Sequence, residues 1–171
     1  RFWKNEFNNS DKLLDLNEKI LKRIPPSWEK YDVILGKHIF LNEIPLIKII
    51  KYGKLAFLRN PRAIFNKGRS IRFQFDMFHG NGILDKAIDL LGQDDKQDFE
   101  FYVRKNISFN YGNMFICKSK ELMSRFYETL FPWLEKCEAI IGFELKGYET
   151  RTYAFLAERF MAYWFNKYSK V

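Results

Sequence analysis

The stretch Tyr111-Gly112-Asn113-Met114-Phe115-Ile116-Cys117-Lys118-Ser119 constrains the fold more than any other part of the chain. Its run from Asn113 to Cys117 predicts a short buried strand. Gly112 allows close backbone approach just before that strand, and Lys118-Ser119 hands over to a long amphipathic helix. The helix is expected from about Ser119 to Cys137, with an apolar stripe through Leu122, Met123, Phe126, Leu130, Trp133, Leu134 and Cys137. Pro132 should kink it, because proline has no amide hydrogen for the preceding turn. A final helix from Thr152 to Tyr168 presents Tyr153, Leu156, Phe160, Tyr163 and Trp164 on one side and carries Ala157-Glu158-Arg159. An Asn ahead of an apolar run, a helix, and then a Glu-Arg pair suit a ligand cleft at a strand's end. A plain core strand accounts for the same residues.

Such elements need a core, and the chain supplies one. Eighteen Phe, nine Tyr and four Trp among 171 residues give much apolar area to bury, enough for one cored domain and short for two. The net charge of +8 favours an anionic partner, whether a nucleotide, a phospholipid surface or nucleic acid, without choosing among them. Cys117 and Cys137 have neither metal-ligand spacing nor the density of a disulfide scaffold, which points to a reduced cytoplasmic setting. No run approaches the roughly 20 apolar residues that cross a bilayer. The chain begins at Arg1 without a methionine, as a piece of something longer would.

In chain order, Asp11 to Arg23 has helical periodicity with Ser10 or Asp11 as cap, and Pro25-Pro26 ends it. Tyr31 to Leu35, bounded by Gly36, reads as a buried strand. Phe40 to Leu58 is read as a short helix interrupted by lysines. Arg59 to Arg72 reads as a basic loop, either meeting phosphates or anionic lipid, or simply solvated. Phe73 to Phe78 alternates aromatic and polar residues as a strand would, and runs into His79-Gly80-Asn81-Gly82. Ile83 to Leu91 is a helix with Asp85 and Asp89 one turn apart, Gly92 to Asp98 an acidic loop, and Gly142 to Thr150 another loop. Asp76, His79 and Asp85 resemble a metal or acid/base cluster, yet nothing in the spacing fixes them on one face. Glu158 stands two residues from Leu156 and Phe160, off the centre of the stripe. A neighbouring Glu-Arg pair is most often a surface feature, although packing on two sides of the helix would bury it.

No Gly-x-Gly-x-x-Gly, no Gly-Lys-Ser/Thr phosphate loop, no Gly-x-Ser-x-Gly elbow and no His-Glu-x-x-His occurs. Three segments in order do carry a resemblance: Asn113-Met114-Phe115-Ile116, then Tyr127-Glu128-Thr129-Leu130-Phe131-Pro132-Trp133-Leu134, then Ala154-Phe155-Leu156-Ala157-Glu158-Arg159-Phe160. Together they resemble the C-terminal half of a bacterial capsular and lipopolysaccharide glycosyltransferase family formerly filed as a domain of unknown function (DUF4422-like). Tyr31-Asp32-Val33-Ile34-Leu35 is similar to a further strand of that family. Arg1-Phe2 would be the tail of its His-Tyr-Arg-Arg-Tyr/Phe motif. Its His-rich segment is answered here only by Phe78-His79-Gly80-Asn81-Gly82-Ile83-Leu84-Asp85.

The resemblance implies an α/β, GT-A-like nucleotide-diphospho-sugar transferase fold, with residues 1–171 forming the C-terminal portion of one domain and the nucleotide-binding part preceding Arg1. It implies transfer of a hexose from a nucleotide sugar to a surface-glycan or lipid-linked acceptor. Asn113 would bind sugar or acceptor hydroxyls, and His79 and Asp85 would line the donor side. Arg1 and the Arg59–Arg72 loop would offset diphosphate charge. Glu158 would serve as general base, with Arg159 holding its surroundings or the departing phosphate, unless Glu158 is a structural partner of Arg159 or Arg151. No Asp-x-Asp triplet is present, so the ligands for any Mg or Mn would lie upstream of Arg1. Such a transferase would be cytoplasmic, with a peripheral contact to the inner face of the membrane. The competing class is a non-catalytic basic module for an anionic membrane or a single-stranded nucleic acid, stacking bases on Arg72-Phe73-Gln74-Phe75.

Overall fold

In the computed structural model, which describes residues 25–65, 68–142 and 151–171, two segments distant in sequence run side by side. The apolar run ending at Leu35 forms β1 (Val33–Leu35), and after Gly36 and Lys37 the chain continues as β2 (His38–Phe40). Opposite lie β3 (Ser108–Asn110) and β4 (Phe115–Cys117). β1 pairs antiparallel with β4, Val33 facing Cys117 and Leu35 facing Phe115, while β2 pairs antiparallel with β3, His38 facing Asn110. The result is one antiparallel ribbon with a break, where the two residues Gly36 and Lys37 stand opposite the four from Tyr111 to Met114. Surplus residues on one side of a ladder bulge outward.

Two glycines make the break possible. A Cβ on Gly36 would lie 2.8 Å from the Tyr111 carbonyl oxygen, so the strands meet only because it has none. Gly112 has φ +89°, a backbone region that side chains disfavour. The expected buried strand from Asn113 to Cys117 is therefore shorter and more open than its composition suggests. Asn113 and Met114 belong to the bulge, and Ile116 is 37% exposed on a strand paired with β1.

Between β2 and β3 the chain is helical. The lysine-interrupted segment forms two short helices, α1 (Leu46–Tyr52) and α2 (Lys54–Arg59), divided at Gly53. A 3-10 turn at Pro61–Ile64 follows. The strand expected at Phe73–Phe78 is instead helix α3 (Ile71–His79), capped by the Ser70 hydroxyl, which accepts from Phe73 N. Ile71, Phe73, Phe75, Asp76, Met77 and His79 are all buried, and a helix enclosed on most sides loses the polar face that would betray its period. Helix α4 (Ile83–Asp89) is as expected. The expected acidic loop at Gly92–Asp98 is the beginning of α5 (Gln93–Lys105); Asp94 and Asp95 occupy its first turn, where free amides and the helix dipole favour carboxylates.

Helix α6 (Lys120–Ile141) starts where the sequence places it, with the Ser119 hydroxyl accepting from Leu122 N. It runs through Pro132 and past Cys137 to a left-handed Gly142. Helix α7 (Thr152–Tyr168) matches its expected span. It packs against α6, α5, α3 and β3, so its stripe widens into a fully enclosed cylinder. Phe99, Phe109, Phe126, Trp133, Phe160 and Trp164 fill the core around it. Two of the polar groups that enter it are paired: Trp133 Nε1 donates to Ala87 O at 2.7 Å, and Tyr163 Oη donates to Asp95 Oδ1 at 2.8 Å. The architecture is mixed α/β, helix-dominated, with two small antiparallel sheets. Arg1, the Asp11–Arg23 helix and most of the Gly142–Thr150 loop lie outside the described residues.

Candidate functional site

The break in the ribbon is held from behind by one face of α7. Ala154 and Glu158 are one turn apart, and each takes a bond from the bulge. Asn113 Nδ2 donates to Ala154 O at 2.8 Å, and Gly112 N donates to Glu158 Oε1 at 2.5 Å. Arg159 Nη1 donates to Glu158 Oε2. Both oxygens of a carboxylate only 6% exposed thus accept from the protein, which ties Glu158 to the bulge and to Arg159.

Arg159, expected at the substrate, is 2% exposed and lies inside. Its Nη2 donates to Gln74 Oε1 at 2.8 Å and stands 3.3 Å from His79 Nε2, its Nη1 also reaches Phe155 O, and its guanidinium lies 4.6 Å from the Phe109 ring centroid. His79 is buried as well, stacked on Phe155 with centroids 3.9 Å apart. Burial, and next the charge of Arg159, lowers its pKa to about 3, so its ring is neutral at ordinary pH. A donating Arg159 makes Nε2 the acceptor and puts the proton on Nδ1, which has no hydrogen-bond partner among the described residues. The surface reading of the Glu-Arg pair is therefore wrong for this chain: three sides of α7 are covered by elements remote in sequence.

In front of the bulge is an open cleft of about 1130 Å3. Its walls include Lys37, His38 and Phe40 on one segment, Tyr111, Asn113 and Met114 on the other, and Tyr127 from α6. Of the site residues expected from sequence, Asn113 alone lines this cleft among the described residues. One of its two N–H groups goes to Ala154, which leaves the second N–H and the amide oxygen for a ligand. Glu158, Arg159 and His79 form the buried layer beneath.

Asp85 is elsewhere. Arg72 Nε and Nη2 donate to it at 2.7 and 2.5 Å, Arg59 Nη2 at 3.2 Å, and Arg104 Nη2 lies 3.6 Å away. Burial pushes its pKa up, but the Arg72 hydrogen bonds and the three guanidinium charges prevail and hold it below the usual carboxylate range. A carboxylate so clamped is a poor proton acceptor, and Asp85 is not among the residues that line the cleft. Asp76 accepts from Gly82 N at 2.8 Å and shares Arg59 with Asp85, whereas His79 is packed on Phe155 and faces Arg159. Among the described residues no group of three or more His, Cys, Asp or Glu could hold a metal ion.

The basic segment is also not a free loop. Arg59 and Arg72 are committed to Asp85, and Arg69 is buried, donating to the carbonyls of Asn42, Ile44 and Ala63. Phe73 and Phe75 are in the core, so Arg72 to Phe75 offers no stacking platform for bases. Sequence reasoning missed Lys37, His38, Phe40 and Tyr111 on the cleft wall. It also missed buried Asn110, which donates to Gly36 O at 2.7 Å and closes the ribbon beside the break. The alternation His38-Ile39-Phe40 opposite Ser108-Phe109-Asn110 was the available signal.

Comparison with known proteins gives one family. Residues 28–169 match the model of a family described as a domain of unknown function (DUF4422). No curated protein and no solved structure shows significant similarity to the chain.

Proposed function

The chain belongs to the DUF4422 family, and from its cleft and motifs we propose that it is the C-terminal portion of a GT-A-like glycosyltransferase, moving a hexose from a nucleotide sugar to a surface-polysaccharide acceptor. The observation that carries this reading is the meeting of the three motif segments at one place. Asn113 and Tyr127 share the cleft wall, Asn113 donates to Ala154, and Glu158 holds the amide next to Asn113.

In this reading the cleft takes the acceptor or the transferred sugar. Tyr111, Tyr127 and Phe40 offer flat apolar faces to a pyranose ring, and the Asn113 oxygen accepts from one of its hydroxyls. In the transfer the bond from the sugar's anomeric carbon to the diphosphate oxygen breaks, a bond to the acceptor oxygen forms, and the acceptor's proton passes to a base. Lys37 on the wall is the cation best placed to offset negative charge, since Arg59, Arg69 and Arg72 are spent internally. Glu158 acts by positioning the bulge. Among the described residues no group of three or more His, Cys, Asp or Glu fits a Mg or Mn ion, so a metal in this reading would be held by residues outside them.

The test is a panel of nucleotide sugars offered to the full-length protein, with hydrolysis and transfer as readouts. Turnover of one donor is expected. Absence of turnover together with no donor binding by calorimetry would overturn the proposal.

A further inference from the structure

Helices α1 and α2 carry apolar side chains that the fold leaves uncovered. Leu46, Ile47, Ile50, Leu55 and Leu58 are all exposed, Ile47 at 75% and Leu58 at 76%. Each helix buries one residue, Ile49 in α1 and Ala56 in α2, and both join Ala63, Phe73 and Met77 in a small satellite core. At 100° per residue, Ile47 and Lys51 point directly away from Ile49, and Lys54 and Leu58 directly away from Ala56. The outer side of each helix therefore pairs an apolar side chain with a lysine, one turn apart.

The charges carried by these two helices have one sign. From Ile44 to Phe75 the sequence contains no Asp or Glu, while Lys48, Lys51 and Lys54 are all exposed. Lys51 Nζ lies 5.0 Å from the centroid of the exposed Tyr52 ring. Apolar groups flanked by lysines and an amphipathic aromatic suit the boundary between acyl chains and anionic headgroups, where the lysine stems follow the apolar surface and their ammonium groups reach the phosphates. Among the described residues no helix is long and apolar enough to cross a membrane.

We propose that the outer faces of α1 and α2 dock the chain onto an anionic phospholipid surface, lying in the interface with Ile47, Ile50 and Leu58 inserted and Lys48, Lys51 and Lys54 at the headgroups. This goes beyond the sugar-transfer reading and stands apart from it, since vesicle binding is measured with no sugar nucleotide present. It also moves the lipid contact away from the Arg59–Arg72 segment, where Arg59, Arg69 and Arg72 bind the protein itself.

The experiment is sedimentation of the full chain with phosphatidylcholine vesicles, with and without phosphatidylglycerol, at low and high salt. Binding to the anionic vesicles that weakens with salt is expected. Ile47→Glu/Leu58→Glu and, separately, Lys51→Glu/Lys54→Glu should each cut it about tenfold or more with melting temperature unchanged. No binding by the unaltered chain, or binding by both variants as strong as that of the unaltered chain, would overturn the proposal. So would self-association that the first variant abolishes while vesicle binding is absent, since a second copy would then cover this face.

Discussion

Helix α7 and the α1–α2 pair are both rich in apolar residues and meet opposite fates. Every residue of α7 from Phe155 to Phe165 is buried, Glu158 and Arg159 included, whereas α1 and α2 each bury one side chain and, Phe57 aside, expose their other apolar ones. The difference lies in what covers them. Four elements surround α7, and total enclosure forces its charged residues to find partners inside: Glu158 with Gly112 N, and Arg159 with Gln74, His79 and Phe155 O. The short helices touch the body along one narrow seam, so their composition is free to serve something outside it. Buried polarity in the first region holds a bulge in place, and exposed apolarity in the second packs on none of the described residues of the core.

That contrast is broken most severely at Arg159. Arg159→Ala leaves the Glu158 carboxylate buried without its cation, and denaturant unfolding should show a loss of about 3–5 kcal/mol. Glu158→Gln is milder. It keeps the shape but turns an accepting oxygen into a donor facing Arg159 or Gly112, so about 1–3 kcal/mol should be lost and any fall in turnover should follow the melting temperature. A drop of roughly 10² to 10⁴ in rate with unchanged melting would instead restore Glu158 as a base.

The same enclosure predicts acid sensitivity. The His79 pKa is near 3 in the folded chain and 6.5 in its ordinary state, so the unfolded chain binds the extra proton. Stability from this group is complete above pH 6.5 and declines as pH falls from 6.5 toward 3, with a slope of at most about 1.4 kcal/mol per pH unit. His79→Gln should flatten that part of a stability-against-pH curve. At the other end of the scale, Ile47→Ser and Leu58→Ser should change unfolding free energy by less than about 0.5 kcal/mol, because neither side chain is packed.

How far the sequence can be read follows the same division. Helices α6 and α7 are legible from their stripes and, for α6, from the Ser119 cap, because one apolar face repeating over many turns has few alternatives. Helix α3 is not, since Phe73 and Phe75 imitate a strand when Asp76 and His79 are buried too. Strand β3 offers only one alternation, Ser108-Phe109-Asn110, which gains meaning once it is set opposite His38-Ile39-Phe40, and the acidic start of α5 looks like a loop until its amides are counted. At the candidate site Asn113 was legible from its place before an apolar run. The burial of Glu158 and Arg159 was not, because it depends on Gly112, Gln74 and His79, which arrive from 46 to 85 positions away.

The central claim is that Glu158 and Ala154 hold the bulge so that Asn113 offers its oxygen to a ligand in the cleft. Turnover by the full-length protein, compared between the natural chain and Asn113→Ala with melting followed on the same samples, tests it most directly. The account predicts a loss of about tenfold or more at nearly unchanged melting temperature, since an exposed side chain gives up one backbone hydrogen bond and one ligand contact. Unchanged turnover in Asn113→Ala would contradict it.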